Sequence, residues 1–483
     1  MNVRITAWLL ALLTLSASMI SCGSADSGNA ETSADTSAEV ETTTAAPETT
    51  SALSTIARAD YNGKVFRIVS DQQDNRHTDF VAEEENGDTL NDLVYRRNTV
   101  IKESYNIDIE AQGMANADIV SAVQTNVTAG DNPYDLLMPN GGANSLAYGG
   151  YLLAWNDIES MDITKEWWDQ AAISDMSVGG QSYMITGDIT PNGMLTSECI
   201  LFNKVLFKNR GIAEPYDAAF DGKWTWDMFN TLTKDLSQDL NGDGVMDDKN
   251  DMFSYTLWND GGQALYFGMG ATLSTKNKDD IPVLNYESEK LINTYTRIYD
   301  LITNNKANFS KTDHVQSFKV FNEGRAYFCG ITFQKIGTFL RDMENDFGIL
   351  PLPKYDANQE SYLTNVSPAC TFAMIAKTTA DIEYAGTIID ALAAASYDMI
   401  TPTLFDIIAA TKNVRDEQSP EIMQMIVRNR VFDPAVLYYL DGYMFVRDLL
   451  TKDSPDVVSF MATSLEPAQT RLDNIVKQFT EKN

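Results

Sequence analysis

The chain has 483 residues, 44% hydrophobic and 10% aromatic, with 68 Asp and Glu against 36 Lys and Arg for a net charge of −32. That length exceeds one ordinary core and predicts two lobes once a leader and a linker are set aside, while the apolar content excludes a mainly disordered chain. The acidic balance argues against nucleic acid and against an anionic membrane surface as partners.

Residues 1–22 read as an export signal, with Arg4 near the start, an apolar run from Ile5 to Leu15 broken by Thr6 and Thr14, and small residues before Cys22. The run is too short for a transmembrane anchor. Met19-Ile20-Ser21-Cys22 resembles the bacterial lipobox, with Met19 where leucine is usual. The resemblance implies a lipid on Cys22 and a protein held at the extracellular face of the bacterial membrane. Residues 23–57 are rich in Ser, Thr and Ala and hold no Lys or Arg, a composition that predicts a flexible, disordered tether. Cys199, Cys329 and Cys370 allow at most one disulfide, and their spacing predicts buried thiols rather than a metal or redox site.

From residue 60 the pattern changes. Lys64–Val69 reads as a first strand, followed by helical spacing of Leu90, Leu93, Val94, Ile101 and Tyr105, then by alternation over Ile107–Ile109. A second helix over Ile119–Val127 and a third strand over Tyr134–Met138 complete a β-α-β-α-β order, which implies a parallel sheet with helices on its faces. Ligands bind such sheets beyond the C-terminal strand ends, so Ser70–Arg76 and Pro139–Asn144 are candidate pocket walls.

Trp224-Thr225-Trp226-Asp227-Met228-Phe229 opens a helix running toward Leu236, with Thr225 or Asp227 as its cap. Asp239, Asn241, Asp243 and Asp247 take positions one, three, five and nine of an EF-hand-like loop with Gly244 at the sixth. Asn250 stands where a bidentate Glu belongs, and Asp251 follows one residue late. The loop is either a structural Ca²⁺ site of Asp239, Asn241, Asp243, Asp247 and Asp251 or a plain polar turn. Helical spacing returns over Leu291–Ile302, Ile382–Leu392 and Leu472–Phe479. Of the tryptophans able to stack on a sugar ring, Trp168, Trp224 and Trp226 sit at helical positions suited to the core. Trp258, after an apparent strand and before Asn259, Asp260 and Gly261-Gly262, is the best ligand candidate. Catalytic signatures are scarce: His77 and His314 are the only histidines, and no zinc-protease, serine-hydrolase or phosphate-loop motif occurs.

A series of short motifs carries a family resemblance: Ala129-Gly130-Asp131-Asn132-Pro133-Tyr134-Asp135-Leu136, Gly150-Tyr151-Leu152-Leu153, Trp167-Trp168-Asp169, Phe202-Asn203-Lys204, the Trp224–Phe229 segment, Phe321-Asn322-Glu323-Gly324-Arg325-Ala326 and Gly348-Ile349-Leu350-Pro351-Leu352-Pro353-Lys354. In that order, behind a lipobox and tether, they resemble the extracellular solute-binding proteins of ABC importers related to maltose-binding protein. The resemblance implies an α/β, two-lobed periplasmic-binding-protein-like fold, with a hinge and a ligand cleft between the lobes. Residues 60–193 plus 365–400 would form lobe 1, and residues 194–364 plus 401–483 lobe 2. It further implies a monomeric, non-enzymatic receptor that passes a sugar or oligosaccharide to membrane permease subunits and needs no cofactor. Asp71, Asn140, Asp188 and Asn259 would bind its hydroxyls and Trp258 would stack on a ring. The alternatives are a sensor signalling to a membrane kinase and a glycan-active enzyme.

Overall fold

The computed structural model describes residues 51–311, 314–409 and 416–481; Cys22, the leader and residues 23–50 lie outside them. The turn at Asn62 and Gly63, both with positive φ, delivers the chain into β1 (Lys64–Asp71). β1 runs parallel to β2 (Ile107–Met114) over its full length, Lys64 opposite Ile107 and Asp71 opposite Met114. It is also parallel to β3 (Leu136–Met138), giving a sheet of order β2-β1-β3. The helix Thr89–Tyr105 starts on Asp88, whose carboxylate accepts from the Asn91 amide, and ends at left-handed Asn106. The helix Asn116–Ala129 ends at Gly130 with φ 77°. These caps stop each crossover helix where the next strand must begin. Alternation along β1 sends Phe66 and Ile68 into one apolar cluster and Val69 into another, so the sheet is covered on both faces.

The chain then enters a second sheet. β4 (Glu198–Asn203), β5 (Phe253–Leu257), β8 (Asn308–Phe309), β9 (Ala326–Thr332) and β10 (Phe347–Leu350) take the order β10-β4-β9-β5-β8, while β6 (Ser274–Lys276) and β7 (Pro282–Leu284) form a separate antiparallel pair. β5 is parallel to β8 and β9, whereas β4 is antiparallel to both β9 and β10. This sheet is therefore mixed. β11 (Thr364–Asn365) pairs with β12 (Arg430–Val431), and the chain returns to the first sheet, where Ala373 meets Ile185 and Met374 meets Leu137.

Several local expectations change. The helix that begins at Trp226 ends at Thr233, short of Leu236; Thr225 is its cap residue, makes no side-chain cap bond, and pairs through its backbone with Lys354. Residues 51–56, expected in the tether, are packed: Ala52 is buried, and Asp398 accepts from Ser51 Oγ at 2.7 Å and from the amides of Ala52 and Leu53 at 3.0 and 3.1 Å. Cys199, Cys329 and Cys370 are buried free thiols. Trp155, Trp168 and Trp224 are fully buried, and a single Asp390 oxygen accepts from the indoles of both Trp167 and Trp168, at 2.6 and 2.9 Å. No described helix is long and apolar enough to cross a membrane.

Candidate functional site

The C-terminal ends of β1, β2 and β3 bring together Asp71, Asn116 and Asn140. Asp71 is buried; one oxygen accepts from Arg76 Nη1 at 2.9 Å and Asn140 Nδ2 at 2.8 Å, and the other from the Gln73 amide at 3.1 Å. Asn140 in turn donates its amide to Asn116 Oδ1 at 3.0 Å and accepts from Gly142 at 2.8 Å. Glycine is needed at 141, since a Cβ there would lie 2.5 Å from the Pro368 carbonyl oxygen. Between Asp71 and Arg76, Asp74 and Asn75 both hold positive φ, at 52° and 61°. Asp and Asn tolerate this conformation better than other side chains, and consecutive strained residues of this kind concentrate at binding sites.

A second surface faces this one. Because β4 runs against β9, Glu198 opens β4 directly opposite Thr332 at the end of β9, beside Trp258 at the end of β5. The surfaces come close together. Gln334 Nε2 donates to the Asp74 carbonyl at 3.3 Å, and a Cβ on Gly142 would stand 3.5 Å from the Tyr439 hydroxyl. Tyr439, with φ 53°, stacks on Tyr443 at 5.0 Å and 15°. Arg447 and Asp260 lie 3.5 Å apart nearby.

The electrostatics centre on Glu198, which is 2% exposed. Burial pushes its carboxyl up to about 8, with Asp260 adding to the rise, while Lys335 and a hydrogen bond from Trp258 oppose it. Glu198 Oε2, Asn259 Oδ1, Thr332 Oγ1, Asn365 Oδ1 and Thr371 Oγ1 are buried without a hydrogen-bond partner. Thr371 pairs in register with Asn140, and Thr364, next to Asn365, donates to the Glu198 carbonyl. These orphans therefore gather where the two strand-end surfaces meet. Buried polar atoms are normally paired, so such a cluster marks a place prepared for an external partner.

Of the residues named from sequence, Asp71 and Asn140 lie together on the first surface, and Trp258 and Asn259 on the second. Trp258 is 8% exposed and carries Lys335 Nζ 4.4 Å from its ring centroid, which covers a face expected to receive a sugar. Asp188 does not join them. Gly187 packs against Trp167 and Trp168 where no Cβ could fit, and Asp188 beside it accepts from Thr401 Oγ1. Sequence reasoning missed Glu198, Lys335, Tyr439 and Tyr443. Glu198 carries a signal in hindsight, as a lone acid heading the apolar strand Glu198-Cys199-Ile200-Leu201-Phe202.

In the acidic loop, Asp239 accepts from the amides of Gly242 and Gly244 at 2.7 and 2.8 Å, Asp243 from Val245 at 2.8 Å and Asp247 from Lys249 and Asn250, each at 2.9 Å. Asn241 Oδ1 accepts from the Asp243 amide at 3.0 Å, and buried Asp251 accepts from Leu240 and Asp247 at 2.9 and 2.7 Å. As folded, these oxygens serve the loop's own amides, and among the described residues no three His, Cys, Asp or Glu side chains are grouped to hold a metal.

No protein-family profile and no curated protein matches the chain. Solved structures do. A cyclo/maltodextrin-binding protein complexed with maltotetraose aligns at 12% identity over 87% of this chain and 99% of its own, with a TM-score of 0.56. The galacto-N-biose/lacto-N-biose I-binding protein of the ABC transporter from Bifidobacterium longum aligns at 16% identity over 87% and 98%, with a TM-score of 0.55. A sugar transporter from Rhizobium etli in an open conformation aligns at 14% identity over 87% and 100%, also at 0.55. The chain has the two-lobed α/β fold of the sugar-binding solute receptors related to maltodextrin-binding protein.

Proposed function

We propose that the chain is the saccharide receptor of an ABC importer, capturing an uncharged sugar or oligosaccharide between its two strand-end surfaces for delivery to membrane permease subunits. The observation that carries this reading is the group of unpartnered buried polar atoms around Glu198, Asn259, Thr332 and Asn365. Most are acceptors, and vicinal hydroxyls supply several donors at once from an uncharged body. The tyrosine pair Tyr439–Tyr443 offers the aromatic face for a pyranose, since Lys335 covers Trp258. The fold adds support, as its carriers include proteins solved with maltotetraose and lacto-N-biose.

Thermal denaturation with maltotriose, lacto-N-biose and trialanine tests the proposal. A saccharide at a hundredfold excess over its dissociation constant should add about 2.7 kcal/mol to folded-state stability. Stabilisation by trialanine with none from a broad saccharide panel would refute the ligand class.

We also propose that Cys22, outside the described residues, bears the lipid that tethers the receptor to the outer face of the membrane. The support is the sequence before it and the tether composition after it. Membrane-extracted protein should give a mass for a chain beginning at diacylglyceryl Cys22, and Cys22→Ser should leave the precursor uncleaved or shed it. An unmodified N-terminus at another residue would exclude the anchor.

A further inference from the structure

Trp258 is held in place by rigid neighbours and covered by a flexible one. Phe318 lies 6.5 Å from its ring, tilted by 45°, and a Cβ at Gly261 would stand 3.3 Å from the indole Cδ1. Lys335, half-buried on the helix Phe333–Phe339, sets its ammonium 4.4 Å from the ring centroid. A sugar ring can stack on that face only if the ammonium leaves it.

The same ammonium has a second place to go. Glu198 lies beside Trp258, receives a hydrogen bond from its indole and is attracted by Lys335. Yet Glu198 Oε2, buried, takes a hydrogen bond neither from Lys335 nor from any other donor. This arrangement suits a neutral carboxyl. A protonated acid holds an ammonium less strongly than an indole face does, whereas an ionised carboxylate at contact distance in a buried setting holds it more strongly.

We infer that Lys335 is a movable cover on the ligand site: its ammonium rests on the Trp258 ring while Glu198 is protonated, and swings to Glu198 Oε2 once that carboxyl ionises, baring the ring for a sugar. The proton leaving Glu198 goes to solvent. The use of the bared ring rests on the saccharide reading above; the exchange itself does not. Burial holds Glu198 at about 8, so the exchange follows modest changes in pH, and the arriving ammonium favours it further by stabilising the anion. Asp260, 3.5 Å from Arg447, opposes the ionisation. The other titratable groups around Glu198 do not share the step, because burial pushes Cys199, Cys329 and Tyr255 well above their ordinary values and keeps them protonated.

The test is acrylamide quenching of tryptophan fluorescence in the full chain without saccharide, from about pH 6.5 to about pH 9.5, a range over which a group at about 8 goes from roughly 3% to roughly 97% ionised. Subtracting the signal of Trp258→Phe isolates Trp258. Its quenching should rise with a midpoint at about pH 8, stay low throughout in Glu198→Gln, and be high already at the acid end of the range in Lys335→Ala. The unaltered chain against Glu198→Gln stands by itself if Trp258→Phe does not fold. No saccharide is present, so a failure here is distinct from a failure of the receptor reading. A Trp258 equally protected at both ends of the range, a rise that persists in Glu198→Gln, or a ring still protected in folded Lys335→Ala each overturns the cover.

Discussion

Glu198→Gln should stabilise the protein above pH 8 and weaken saccharide binding under the same conditions. Glu198 is 2% exposed, and burial raises its carboxyl to about 8 from an ordinary 4.5. A carboxyl raised in the folded state contributes stability that is fully present below its unfolded value and is lost as pH climbs through the folded value. The loss therefore runs from about pH 4.5 to about pH 8, and the nominal size of such a difference is roughly 4–5 kcal/mol. The attraction of Lys335 and the hydrogen bond from Trp258 hold it down, so a gain of about 2–3 kcal/mol at pH 9 is expected for the amide, which never ionises. Below about pH 4, where the carboxyl is protonated in the folded and the unfolded chain alike, the gain should vanish.

The binding arm has the opposite sign. An ionised carboxylate accepts ligand hydroxyls more strongly than an amide oxygen does, by about 1.5 kcal/mol or more per bond. Urea denaturation and calorimetry at the two pH values measure both arms on one variant. A stability gain with unchanged saccharide affinity would reduce Glu198 to a buried acid unconnected with the ligand, and no gain would mean that Lys335 already compensates the charge.

That Glu198 escaped the sequence reading has a physical cause. Helices and parallel strands reveal themselves through local periodicity, so the first sheet was legible: Lys64–Val69 is the body of β1, and Leu90–Tyr105 falls inside the helix Thr89–Tyr105. Strand direction is not local. Nothing in Glu198–Asn203 says that it runs against β9, yet that reversal is what puts Glu198, rather than Asn203, beside Thr332 at the end of β9. Tyr439 is hidden for a similar reason. It reaches the site from a region with no strand to point it there, through a left-handed backbone and the nearby Gly142. Asp188 is read from its position near a crossover, and the fold sets it apart from Asp71 and Asn140, with Thr401 Oγ1 as its donor. That Asp71 and Asn140 lie together needed only the parallel order of the three strands, which puts the ends of β1 and β3 side by side.

Arg76→Met should lower stability by about 3–5 kcal/mol, because it strands a buried carboxylate. The side chains of Arg76 and Asp71 are 2% and 1% exposed, and their 2.9 Å contact is the only ion pair Asp71 makes among the described residues. Replacing both, as in Arg76→Met with Asp71→Leu, removes the charge along with its partner and should restore most of that loss, since a buried ion pair is often close to neutral against apolar residues of similar size. Binding should not recover. Asp71 also holds Asn140 Nδ2 at 2.8 Å, and Asn140 accepts from the amide of Gly142, the residue whose Cα side is near the Tyr439 hydroxyl. Without the Asp71 acceptor the Asn140 amide loses its orientation, and saccharide affinity should fall about tenfold or more in the stable double variant, the scale of one well-placed hydrogen bond. Chemical denaturation of the single and double variants separates the electrostatic cost from the packing cost, and calorimetry on the double variant isolates the positioning role. Full affinity in a restored double variant would show that the Asp71–Arg76–Asn140 network builds the first lobe without shaping the ligand site, and would shift the binding surface wholly to Glu198, Asn259 and the tyrosine pair.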